Sequence, residues 1–224
     1  MEYRRDPAAG PALQGVRPRL VVATRSEHKL RELTELLHLE RGVLLSLDDL
    51  GVPGEPIEDG GTFEANARIK ARFAAEATGL PSLADDSGIE VQALGGGPGV
   101  HTRRYAGPDA TDGSNNAKLL AALDGLSPEE RLARYVCVLA LALPRDRGPR
   151  GGLPMILRRG TCRGRIATSA RGTGGFGYDP IFEPSGEPPG GRTLGTYSAA
   201  EKQSISHRAK AARRMEPVLR DLGF

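Results

Sequence analysis

Two adjacent carboxylates, Asp85 and Asp86, follow the apolar pair Leu83-Ala84 and precede Ser87-Gly88. Neighbouring negative charges repel unless a cation or several donors compensate them, and close to a core they are costly. Magnesium beside a polyphosphate suits such a place, since it takes one or two carboxylates and completes its shell with water and phosphate oxygens. Glu58, in the acidic loop 51–61, is the candidate second carboxylate. The residues Asp-Asp-Ser-Gly also spell an ordinary Asx turn, and a tight turn is the local structure expected here.

Other segments carry complementary chemistry. Thr24-Arg25-Ser26-Glu27-His28-Lys29 marks the change from a short apolar stretch to a helical pattern. Free backbone N–H groups at a helix start, with a lysine one turn in, make a phosphate cradle; an ordinary capped helix with a solvated lysine carries the same residues. Phe63, Asn66 and Lys70 share a helical face. That face either lines a polar cleft or packs Phe63 while Lys70 reaches water. Gly172-Thr-Gly-Gly-Phe-Gly177 matches GxGxxG in form, yet Tyr178-Asp179-Pro180 continues as extended chain where a dinucleotide fingerprint must open a helix. The loop suits close backbone approach to a ligand, with Phe176 able to stack on a base. Lys202 and the run Ser206-His207-Arg208 place cations at a helix entrance, fit for phosphate or a purine keto oxygen, or for a solvated basic face.

The elements that position these groups follow from periodicity. Arg19–Thr24 and Val43–Leu47 read as strands, with a helix from Ser26 to Leu39 between them. Thr62 caps a helix over Phe63–Thr78 that stops at Gly79. After the expected turn, Ile89–Leu94 resumes as strand, and a glycine-rich basic loop covers 95–107. A helix near Asn115–Leu123 precedes the strand Arg134–Leu143; Met155–Thr168 supplies one or two antiparallel strands, and Pro180–Glu183 a short one. Ser198-x-x-Glu201 has the form of a capping box, and a basic helix kinked near Pro217 ends the chain. Strands and helices alternate only in part, which favours a mixed sheet. Residues 1–18 read as a flexible N-terminal tail, 19–224 as one catalytic domain, and 144–154 as a flexible insertion.

Composition bounds the alternatives. With 31 Lys+Arg against 28 Asp+Glu the formal charge is +3, too small to demand a nucleic-acid partner, and aromatics at 4% do not interleave with basic residues. Only five of the basic residues are lysines, at positions 29, 70, 118, 202 and 210, and three of them fall in the segments above. The longest apolar run, Val136–Leu143, is too short for a bilayer, and Cys137 and Cys162 show no metal-ligand spacing. No GxxxxGK[ST] occurs, which excludes a P-loop kinase. The expectation is a cytoplasmic protein acting on a small anionic ligand, with neither nucleic acid nor membrane as partner.

Taken in order, these segments closely resemble the inosine triphosphate pyrophosphatase family, also described as XTP/dITP diphosphatases. The resemblance rests on Phe63-Glu-x-Asn66-Ala67-x-x-Lys70-Ala71, Ala84-Asp-Asp-Ser-Gly88, Gly172-Thr-Gly-Gly-Phe-Gly-Tyr-Asp-Pro180 and Ser204-x-Ser-His-Arg208, and runs from about Leu20 to the C-terminal helix. It implies an elongated mixed sheet flanked by helices, two lobes about a cleft, and a homodimer. It implies hydrolysis of dITP, ITP or XTP to monophosphate and pyrophosphate with Mg²⁺. It implies Asp86 as proton acceptor and metal carboxylate with Glu58 beside it. Thr24, Arg25, Ser26, Glu27, His28, Lys29, Lys70 and Ser87 would then serve the phosphates, with Asn66 also in the substrate site. Phe176, Gly177, Tyr178, Asp179, Lys202, His207 and Arg208 would hold the nucleoside. The chain departs from the family's first motif at Ser26, where Asn is common, and at Arg25, where Gly often stands. A related enzyme for pyrimidine or modified nucleotides, and a nucleic-acid-binding protein, are the alternatives.

Overall fold

A computed structural model describes residues 18–39, 43–144 and 153–224. Nearly all of the expected tail, and most of the expected insertion at 144–154, lie outside the described residues. Among the described residues six strands form one mixed sheet in the order β2-β1-β3-β4-β5-β6. They are β1 (Leu20–Val22), β2 (Leu44–Ser46), β3 (Ser82–Val91), β4 (Leu132–Ala142), β5 (Met155–Ile166) and β6 (Phe182–Pro184). β1 runs parallel to both β2 and β3, and the remaining pairs are antiparallel. The parallel pairs need crossovers, which α1 (Glu27–Leu36) and α2 (Phe63–Thr78) supply. α3 (Asp112–Ala122), α4 (Ala199–Ile205) and α5 (His207–Asp221) complete the set.

The sheet divides two apolar layers. Leu83, Cys137, Leu139 and Leu141 pack toward Leu33 and Leu36 of α1 and toward Ala209, Ala212 and Met215 of α5. Ala84, Val136, Val138 and Ala140 pack the other way, onto Phe63, Ala67, Ala71 and Ala74 of α2. α2 begins where the Thr62 side chain accepts from the Ala65 N–H and ends at Gly79 with φ +67°, a left-handed value that glycine adopts without steric cost. Its buried face is mostly alanine, which lets the helix axis lie close to the strands.

The expected tight turn at Asp85–Gly88 is absent. Those residues sit in the middle of β3, paired one for one with Leu139, Val138, Cys137 and Val136 of β4. Local preference for a turn loses here because a long strand partner and several cations hold the segment extended. The other differences are smaller. Met155–Ile166 is a single strand, α3 starts at Asp112 behind a Thr111–Ser114 capping box, and α1 ends at Leu36. Within the glycine-rich loop, Gly99–Arg104 forms a 3₁₀ helix. As expected, the Ser198–Glu201 capping box opens α4 and the C-terminal helix starts at Ser206, which is extended (φ −64°, ψ 155°) and caps the end of α4 and the start of α5. α5 continues past Pro217 to Asp221.

Candidate active site

β1 stops at Val22, opposite Leu83, while β3 continues to Val91. From Asp85 onward β3 therefore has no β1 beside it, and the carboxylates lie along this open edge. Amides of β3 alternate in direction: Ile89 N–H donates to Thr102 Oγ1 and Val91 N–H to the Gly97 carbonyl, both at 2.9 Å and both away from β4. By the same alternation the Ser87 N–H points into the open edge. The pleat sends Asp85 and Ser87 to the α1/α5 face and Asp86 to the α2 face.

On the α2 face, Lys70 Nζ lies 2.5 Å from Asp86 Oδ1 and 3.2 Å from Glu58 Oε2. Burial pushes the Asp86 carboxyl above its ordinary pKa, and Lys70 and Lys29 offset only part of that. Lys70 is itself disfavoured by burial, but Asp86 and Glu58 more than reverse this and hold the ammonium protonated. Asn66 Oδ1 accepts from the Gly60 N–H at 2.8 Å and so fixes the loop that carries Glu58.

On the opposite face cations and anions alternate. Asp85 accepts from Lys29 (2.8 Å), Arg208 Nε (3.0 Å), Ser87 Oγ (2.8 Å) and Cys137 Sγ (3.0 Å). Arg208 also donates to Ser87 Oγ at 2.9 Å and pairs with Glu32. Glu32 and Asp179 each lie 2.8 Å from Lys202 Nζ. The order is Lys29, Asp85, Arg208, Glu32, Lys202, Asp179. Asp85 is fully buried, which opposes its charge, yet Arg208 and Lys29 hold its pKa well below the carboxylate range. It is a fixed anion that aligns donors. Asp86, with its raised pKa, is the better proton acceptor.

The loop at 172–179 closes this face. Phe176 N–H donates to Asp179 Oδ2 at 3.0 Å, Gly177 N–H to Asp112 Oδ2 at 2.6 Å, and Asn116 Nδ2 to the Gly177 carbonyl at 3.1 Å. Tyr178 is buried in the core with its hydroxyl on the Thr102 carbonyl at 2.8 Å, so it anchors the loop. Phe176 is left half-buried, with Lys202 Nζ 4.7 Å and the Arg208 guanidinium 5.5 Å from its ring centre. His207 stacks on Tyr135 (centroids 4.6 Å apart, planes at 4°), and its buried Nδ1 has no partner among the described residues. Burial, with Arg208 next, drives its pKa well below the usual value, so the imidazole is neutral near pH 7.

The first motif divides. Lys29 joins the ion chain, Ser26 keeps a structural duty by capping α1, and Thr24 Oγ1 accepts from Ser26 N–H at 3.2 Å. Glu27 is exposed in the first turn. Arg25 turns away, paired with Asp48 and donating to the Val52 and Gly54 carbonyls at 2.8 and 2.9 Å. These bonds tie the Arg25 guanidinium to the loop at 48–54. The His28 ring lies against Phe176. Sequence reasoning missed Glu32. The local signal was faint: Lys29 and Glu32 at i and i+3 share a face of α1, as an ordinary solvated pair would. Lys118 and Lys210, outside the motifs, donate to the Tyr105 and Thr161 carbonyls.

Fold and site define a class, an α/β protein that presents carboxylates and paired cations along one sheet edge to an anionic ligand. The chain belongs to the Ham1 family, whose model matches residues 20–218. It is 48% identical over 192 residues to the dITP/XTP pyrophosphatase of Syntrophobacter fumaroxidans, covering 86% of this chain and 78% of that protein. It is 45% identical over 198 residues to the dITP/XTP pyrophosphatase of Geobacillus kaustophilus, covering 88% and 92%. A HAM1 protein structure from Coxiella burnetii superposes with a TM-score of 0.79 at 40% identity, covering 91% of this chain and 99% of that one. Among the described residues no helix is long and apolar enough to cross a membrane.

Proposed function

We propose that this chain hydrolyses deaminated purine nucleoside triphosphates (dITP, XTP and ITP) to the monophosphate and pyrophosphate, keeping them out of DNA and RNA. The observation that carries the reading is the open edge of β3, with a raised-pKa Asp86 on one side and the Lys29–Asp85–Arg208 chain on the other. Although the two sets occupy opposite faces, they act on each other: Lys29 lowers the Asp86 pKa and Asp85 raises that of Lys70. A phosphate chain lying across the strand edge meets both.

Asp86 and Glu58 fit a magnesium ion. Lys70 already sits between their oxygens at 2.5 and 3.2 Å, which marks a place where hard donors hold a cation. Two carboxylates are the sparse protein donor set that magnesium accepts beside a polyphosphate, whose oxygens and water complete the shell. Bound there, the ion supplies charge neutralisation on the phosphate oxygens.

The chain's own groups do the rest. Asp86 takes a proton from a water whose oxygen attacks the α-phosphorus, and the bond from that phosphorus to the bridging oxygen breaks. Pyrophosphate carries away the bond's electron pair, and Lys29 and Lys70 stabilise the charge that develops on it. Phe176 gives the base a stacking surface, while His207 and Arg208 face the 6-keto oxygen, an acceptor where adenine has an amino donor. Buried donors left unpaired by adenine are costly, and this disfavours ATP. Thr24, Ser26 and Ser87 line the phosphate end. We further propose a cytoplasmic homodimer, in keeping with a substrate drawn from the nucleotide pool.

A panel of nucleotides with Mg²⁺, scored for pyrophosphate against orthophosphate, tests the reading. Release of pyrophosphate from dITP, ITP and XTP well ahead of ATP and the pyrimidine nucleotides is expected. Equal turnover of ATP and dITP, or release of orthophosphate, would falsify it.

A further inference from the structure

His28, in the first turn of α1, and Phe176, in the loop at 172–179, come from the two sides of the site and meet. Their ring centres are 5.2 Å apart with planes at 17°, a stacked arrangement. A planar base between two such rings needs roughly 7 Å, two carbon contact distances. The space between the phosphate-binding helix start and the loop is thus shut by His28 on the side it covers. We infer that His28 and a purine compete for the same face of Phe176, so that His28 must swing out before a base can stack there.

This rests on Phe176 being the base platform, as proposed above. The His28 side chain is exposed, so the Phe176 stack is the main contact that a change of rotamer gives up. Its ring faces the platform and not a donor for phosphate. A histidine on phenylalanine is the weaker stack and a purine the stronger, so substrate displaces it, though with part of its binding spent in doing so. The imidazole acts as an internal competitor for the Phe176 face it covers.

The experiment compares the KM for dITP with the inhibition constant of tripolyphosphate, a phosphate chain lacking a base. His28→Ala is expected to lower the KM for dITP by about two- to tenfold, the size of one aromatic contact, and to leave tripolyphosphate inhibition unchanged. In a Phe176→Ala background the same substitution is expected to have no effect. A KM for dITP that stays the same or rises in His28→Ala overturns the inference, as does an equal shift in tripolyphosphate inhibition, which would place His28 on the phosphates. If Phe176→Ala alone leaves the KM for dITP unchanged, the platform itself is wrong and the inference falls with it. If Phe176→Ala raises the KM while His28→Ala fails to lower it, only the role of His28 is lost.

Discussion

Asp85 and Asp86 are neighbours with opposite duties, and burial with partners decides which does which. Asp85, gripped by Arg208 and Lys29, is locked as an anion; Asp86, opposed chiefly by burial, keeps affinity for a proton. Replacing Asp86 with Asn should lower kcat by about 10²- to 10⁴-fold, the usual range for a general base, with the circular dichroism spectrum unchanged. His207 supplies a second residue-level test. Its pKa is depressed well below 6.5 in the folded protein, so the unfolded chain takes up a proton that the folded one refuses. Stability from this group is complete above pH 6.5 and is lost as the pH falls below it. The midpoint of thermal unfolding should drop between pH 7 and pH 5.5, and His207→Phe, which keeps a ring against Tyr135, should make that drop smaller. The lysines at 29, 70 and 202 were legible from their rarity and spacing. Glu32 was not, because a carboxylate on a charged helix looks like solvated surface until the tertiary fold sets Lys202 and Arg208 beside it.

Among the elements, helices were the more legible, since Thr62, Gly79 and the Ser198–Glu201 box announce their ends by residue type. The central strand was misread because Asp, Ser and Gly favour turns locally, and the compensation that keeps them extended comes from α1, α2 and α5, far away in sequence. Close seating of α5 has a specific cause. A side chain at Gly160 of β5 would collide with the His207 carbonyl and lie 2.5 Å from the Ala211 amide. Gly160→Ala must therefore push the start of α5 off the sheet, and His207 and Arg208 move with it. The expected result is a loss of more than about 2 kcal/mol in chemical denaturation, as overpacking gives, together with a raised KM for dITP. Correct stability and an unchanged KM would show that α5 has room to spare.

Across the whole molecule one sheet unites the parallel half, β2-β1-β3, with the antiparallel half, β3-β4-β5-β6, and β3 belongs to both. Neither half can lose its structure without stripping the shared strand. Unfolding by denaturant should accordingly follow a single transition, with fluorescence of the tyrosines and far-ultraviolet circular dichroism coincident. Two separated transitions would mean that the halves are independent domains. The mixed topology was legible because helices and strands alternate only in the first part of the chain; the open edge was not, because it depends on β1 being far shorter than its neighbour. Housing both carboxylates inside a strand has a further outcome for how such a gene can change. Adding or deleting one codon between Ser82 and Asp85 would turn the pleat over, moving Asp86 to the Arg208 side and Asp85 to the Lys70 side. Point changes can be absorbed along β3, whereas a shift in length there exchanges the surroundings of the two carboxylates at a stroke.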